Sequence, residues 1–198
     1  MPSSTAAVWP SPGRFALALM IGLALMLAAA WLWGTALIEA ILPTTRIMLG
    51  WIDDRFDIVS LGLEQGAVVK LRTAPAEMFV MGGRVVEAHP QGWLEVGIYS
   101  GAVLRVPIIA PAIAAALPGT MRVKALALVL ATLLAFGFLL LDLPTTLFAN
   151  VWKLVVEHLE PGRFSPLLIW HEFLITGGRF GVAVILGLAG WRLARKAA

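Results

Sequence analysis

The run FALALMIGLALMLAAAWLWGTALI, residues 15–38, contains no charged side chain. As a helix it rises about 36 Å, enough to cross a hydrocarbon core of about 30 Å with some tilt. In water such a helix would need apolar cover on every face, and the remaining chain has little polar surface to wrap around it. Of its 198 residues, 60% are hydrophobic and 14% charged, against about 25% charged in an ordinary soluble domain. The mean hydropathy is +0.88. Disorder, a coiled coil and a typical cytosolic enzyme are thereby excluded. A lipid solvent is expected. Residues 15–38 exceed the apolar core of a signal peptide, so they read as an uncleaved anchor despite the small residues Ala28 to Ala30. Trp31 and Trp33 suit its interfacial end.

Two further apolar runs follow. Residues 123–141 are VKALALVLATLLAFGFLLL, closed by Asp142, and residues 167–191 precede a basic tail at 192–198. Both read as transmembrane helices. Between them, residues 145–160 place Trp152, Val155, Val156 and Leu159 on one side, as an amphipathic interfacial helix does. Residues 1–14 read as a flexible lead and 39–55 as an interfacial segment. Residues 107–118 are apolar but too few to cross as a simple helix, and they contain Pro107 and Pro111. A re-entrant or interfacial segment is expected there.

Residues 56–106 have ordinary polar content. Short runs of valine, isoleucine and aromatics alternate with turn signals at 64–66, 82–83, 90–92 and 100–101, the pattern of antiparallel hairpins. Four to six strands are expected, with 68–71 and 103–106 among them. Roughly 50 residues without a disulfide make a marginal core, so the sheet should lean on the membrane helices, a partner or the bilayer surface. The expected fold class is therefore an α-helical integral membrane protein with three or four transmembrane helices and a small β-rich extramembrane domain.

One internal regularity stands out. Leu42-Pro43-Thr44-Thr45 precedes Trp51, and Leu143-Pro144-Thr145-Thr146 precedes Trp152, each at the same offset. Proline and threonine can end one helix and cap the next, so the copies read as two helix–break–interfacial-helix units. If both face one side of the membrane, the chain must cross back between them, which gives 106–117 a reason to cross. Three crossings would separate the termini. Four would place both in the cytoplasm with the β-rich domain outside, the arrangement favoured here.

The span 167–191 is the best candidate for function because it contains His171, Glu172 and Arg179. Charges in lipid are costly and turn toward protein or water. On a regular helix Glu172 and Arg179 share a face, while His171 and Glu172 point about 100° apart. The first two positions could lie at headgroup depth, with Arg179 snorkelling or paired with Asp142. Gly177 and Gly181 form GxxxG, and Gly187 and Gly190 extend a small-residue pattern that permits close helix packing.

The exclusions are equally informative. Cysteine is absent, which removes disulfides, thiolate metal sites and a cysteine nucleophile. Gly82-Gly83 lacks the following helix and lysine of a phosphate loop. No spacing suits a metal ion, so neither metal nor cofactor is expected. A pI near 9.8 comes from cations scattered beside apolar runs, which argues against nucleic acid and for membrane flanks. The partners expected are the lipid bilayer and another integral membrane protein, and no catalytic residue is assigned.

The N-terminal anchor, the sequence LRVPIIAPAIAAALPG after the sheet and the charged WHEFLITGGR segment together resemble the small multi-span proteins encoded beside exosortases. Those enzymes are membrane transpeptidase-like proteins of bacterial protein sorting, described by a membrane cysteine with arginine and histidine. Arg179 and His171 are present here without a cysteine, so the resemblance implies an accessory role rather than the sorting enzyme. The expected function is a non-catalytic accessory or scaffold subunit of an envelope sorting or assembly complex in a bacterial inner membrane. A small transporter or membrane-embedded enzyme using the polar third span is the alternative.

Overall fold

The computed structural model describes residues 11–65, 67–88 and 94–198. Residues 1–10 of the expected lead, Gly66 of the first turn and the turn at 90–92 with its neighbour His89 lie outside the described residues. The elements are α1 (Pro12–Ile52), β1 (Phe56–Glu64), β2 (Val68–Pro75), β3 (Phe79–Met81), β4 (Arg84–Val86), β5 (Leu94–Tyr99), α2 (Ser100–Val103), α3 (Arg105–Ala116), α4 (Met121–Leu159), α5 (Pro166–Phe173), a π-helical segment (Leu174–Gly178) and α6 (Arg179–Ala197). Among the described residues, three helical stretches are long and apolar enough to cross a membrane: Pro12–Ile52, Met121–Leu159 and Pro166–Ala197.

The expected breaks at the two Leu-Pro-Thr-Thr copies are absent. Pro43 and Pro144 both lie inside continuous helices, of 41 and 39 residues. Proline costs a helix one hydrogen bond, but its φ is already helical. The threonines that were to cap a new helix instead use their hydroxyls within the old one. Thr45 Oγ1 donates to the Ile41 carbonyl at 3.0 Å, and Thr145 Oγ1 donates to the Leu141 carbonyl at 2.6 Å. Neither 39–55 nor 145–160 is a separate element, and α1 already begins at Pro12 within the expected lead.

The chain divides into two compact units. The first comprises residues 1–32, 104–138 and 179–198. Here α3 lies inside the bundle, with Val106, Ala110, Pro111, Ala112, Ala114 and Ala116 buried. A helix at an interface would keep one face open, so that alternative is corrected. Phe15, Ala114, Leu117, Val123, Ala127, Trp191 and Ala194 share one apolar cluster, while Val106, Ala110, Ala135, Phe138 and Ala183 share another. This order makes α3 and α6 run the same way, opposite to α4. The start of α1, the start of α4 and the end of α6 meet at one end of the unit.

The second unit comprises residues 33–103 and 139–178. Its three-stranded antiparallel sheet has the order β1-β2-β5, and β3 pairs with β4 as a separate hairpin. The central strand β2 alternates strictly: Val69, Leu71 and Thr73 are buried, whereas Lys70 and Arg72 face outward. Phe56 and Val96 complete the buried face. Helical side chains Leu49, Phe148 and Val151 close on Phe56, Ile58, Leu71 and Thr73, so the small sheet gains its core from the helices. A ring series continues this contact, with centroids 5.9 Å apart for Phe56 and Phe79, 6.2 Å for Phe56 and Phe148, and 6.3 Å for Phe148 and Trp152. The strand expected at 103–106 is helical instead. Ser100 N–H donates to the Ala67 carbonyl at 2.8 Å, after which the chain leaves the sheet through α2.

Candidate functional site

The polar residues singled out in the apolar helices separate into a buried set and an exposed one. Asp142, His171 and Arg179 are buried, with relative exposures of 4%, 5% and 2%. Asp142 accepts a hydrogen bond from Thr146 Oγ1 at 3.1 Å, one helical turn on. All four of these side chains are engaged by neighbouring groups. Such burial is tolerated only where the polar atoms find partners. It also excludes a snorkelling Arg179. Glu172 is exposed, as the 100° step from buried His171 dictates.

The third span is not one regular helix. It is kinked within Leu174–Gly178, where Gly177 leaves the helical conformation at φ +143°. A side chain is strongly disfavoured at that φ, so this glycine permits the break. Thr176 Oγ1 donates to the Glu172 carbonyl at 2.6 Å within it. The expected shared face of Glu172 and Arg179 assumed regular winding and does not hold across this segment. His171 and Glu172 belong to α5 in the second unit, and Arg179 opens α6 in the first.

The packing glycines also separate. A Cβ on Gly187 would lie 2.8 Å from the Ala110 carbonyl oxygen, and one on Gly190 would lie 2.8 Å from the Ala131 backbone nitrogen. These two positions permit α6 to approach α3 and α4. At Gly177 and Gly181 a Cβ would meet nothing within 4 Å among the described residues, so GxxxG packs against none of them. Gly181 instead leaves an open strip on α6. Beside the break, Ile169, Glu172, Phe173, Thr176, Gly177 and Gly178 line an open cavity of about 600 Å³.

Two features escaped the sequence reading. One is a cavity of about 550 Å³ in the second unit, lined mainly by Phe56, Phe79, Val86, Leu94, Val155 and Leu159, with His158 and Glu87 as its polar members. Its residues come from strands and a helix far apart in sequence, so no local signal marks it. The other is a partition of charge. The segments of the first unit carry Arg14, Arg105, Arg122, Lys124, Arg179, Arg192, Arg195 and Lys196, and no aspartate or glutamate. Every one of the 12 carboxylate side chains falls in the segments of the second unit. That pattern was readable along the chain, but only the fold shows which segments belong together.

In the second unit several of the charges pair. On the outward sheet face Lys70 Nζ lies 2.7 Å from Glu64 and 2.9 Å from Glu95, and Arg72 Nε lies 2.7 Å from Glu95. Hydrogen bonds from Lys70 and then Arg72 hold the Glu95 carboxyl below the usual glutamate range. Burial pushes the Asp53 carboxyl up, but hydrogen bonds from Arg55 outweigh it and leave the group lowered. Among the described residues, no group of three or more His, Asp or Glu side chains is placed to hold a metal ion.

Comparison of the chain with protein-family models, with characterised proteins and with solved structures returned no match.

Proposed function

We propose that the chain is a multi-span subunit of a bacterial inner membrane that serves a non-catalytic, scaffolding role in an envelope assembly. Its long helices support the membrane reading by what they leave open. None of the most apolar window of α1 is buried within the chain, and Leu17, Met20, Leu25, Leu133 and Ile185 are each more than half exposed. Such a surface suits lipid far better than water. On this reading the chain crosses through α1, α4 and α6 and returns between the first two by way of the shorter apolar stretch Ser100–Ala116, which puts both termini on one side of the membrane.

Glu172 carries the scaffold reading. Its carboxylate is exposed on α5 beside Ile169, Trp170 and Phe173, which are 56%, 45% and 52% exposed. A charge at an apolar surface is costly unless another group answers it. The open cavity at the helix break, lined by Ile169, Glu172, Phe173 and Thr176, is where a partner helix fits. By contrast, Asp142, Thr146, His171 and Arg179 are engaged already, which favours a structural use for them over a transport pathway. The resemblance to proteins encoded beside exosortases makes cell-surface protein sorting the process of choice for the partner.

The test is a photo-crosslinking residue placed at Thr176 in intact membranes. We expect a discrete adduct with one integral membrane protein, weakened severalfold by Glu172→Gln. Adducts with lipid alone would count against a partner at this face. Asp142→Asn supplies a second arm: loss of function with the crosslink intact would favour a transport or enzymatic role.

A further inference from the structure

The exposed end of α6 has a composition that no packing requirement within the chain explains. Ile185, Leu188, Arg192 and Arg195 succeed one another at steps of three and four residues, and Lys196 lies four beyond Arg192, which places all five on one helix face. With Trp191 they line a single open cavity of about 930 Å³. Ile185 is 65% exposed and Leu188 40%, and the three cations beyond them are exposed as well. Trp191 is held in place, its indole Nε1–H donating to the Pro118 carbonyl at 2.8 Å. The Arg195 guanidinium carbon sits 4.9 Å from the centre of that ring. Stacking fixes one face of the guanidinium and leaves its N–H edge for an acceptor.

Along the helix the order is aliphatic, indole, cation. The first unit's segments contain no aspartate or glutamate to neutralise those cations. We propose that this groove holds one anionic glycerophospholipid, with an acyl chain along Ile185 and Leu188 and the phosphate among Arg192, Arg195 and Lys196. A zwitterionic lipid fits less well, because its ammonium group would meet the same three cations. The inference rests on the membrane reading above and goes beyond it by naming a lipid class and a site.

Native mass spectrometry of the purified full chain, titrated with phosphatidylglycerol or with phosphatidylethanolamine of matched acyl chains, tests it. Phosphatidylglycerol should be retained preferentially. Each cation removed should weaken retention about fivefold, so Arg192→Gln with Arg195→Gln should lose roughly twenty-fivefold. Lys196→Gln should lose about fivefold and supplies the readout if the double variant melts early. Arg84→Gln, at an exposed position in the sheet unit, should change nothing. Equal retention of the two lipids overturns the site, as does an unchanged Lys196→Gln. Displacement by inorganic phosphate or an oligoglutamate peptide at matched charge overturns the lipid assignment. Alkaline carbonate extraction of cell membranes separates the two failures. Release of the chain defeats the membrane reading, whereas retention without lipid selectivity defeats only this groove.

Discussion

At the scale of single residues, four glycines that look alike in the sequence do three different things. Gly177 supplies a backbone conformation at φ +143°. Gly187 and Gly190 supply room, since an added Cβ would press on backbone atoms of neighbouring helices at 2.8 Å. Gly181 supplies neither within the chain. Backbone gives way less readily than a side-chain tip, so Gly187→Ala and Gly190→Ala should each cost about 1–3 kcal/mol. Gly181→Ala should be neutral, or stabilising by up to about 1 kcal/mol through helix propensity. Thermal unfolding in detergent measures all three. A Gly181→Ala loss as large as that of Gly187→Ala would mean that the fold in the membrane packs a helix there. The spacing of small residues announced close packing, but it could not say which glycines face a neighbour.

At the scale of elements, the sheet shows what alternation reveals and what it hides. The hairpins were legible because β-branched and aromatic runs are cut by glycine and proline, and β2 pairs antiparallel on both sides, without interruption against β5 and with one bulge between Ile58 and Ser60 against β1. The helix breaks were misread because Pro43 and Pro144 are strong local signals, whereas each keeps a helical φ and forfeits only one hydrogen bond of a helix about 40 residues long. The outward face of β2 was not legible at all, since its cross-strand partners Glu64 and Glu95 are set by register. That face makes a pH prediction. Glu95 is held ionised by Lys70 and Arg72, so its contribution is complete above the ordinary glutamate value, about 4.3. It fades as pH falls through the lowered folded value. In a carbon-13 carboxyl titration Glu95 should titrate below the ordinary range, and Lys70→Met should move it upward. The stability at stake is small, because the cluster is solvent-exposed and screened. An ordinary titration of Glu95 in the unaltered protein would rule out the ion-pair cluster in solution.

For the molecule as a whole, charge rather than hydropathy decides orientation. Hydropathy finds the apolar helices, but it reads the same in both directions. In the first unit, Arg14, Arg122, Lys124, Arg192, Arg195 and Lys196 flank the residues of one apolar cluster, at the shared end formed by the starts of α1 and α4 and the end of α6. Lysine and arginine within about 15–20 residues of a span keep that end in the cytoplasm, while carboxylates contribute little. This end should therefore be cytoplasmic. The sheet, which follows the far end of α1 in the chain, should lie outside. Reporter fusions at 119, between α3 and α4, and after 198 should both report cytoplasm, whereas a fusion at the β3–β4 turn, 82–83, should report the external side. The turn fusion bears most on the scheme, because a cytoplasmic reading there would remove one crossing and reverse the sheet. Replacing Arg122 and Lys124 with glutamine should raise the misoriented fraction measurably, and adding carboxylates to the external turn should not. If charge at the shared end had no such influence, the absence of every acidic residue from that unit would need a different cause.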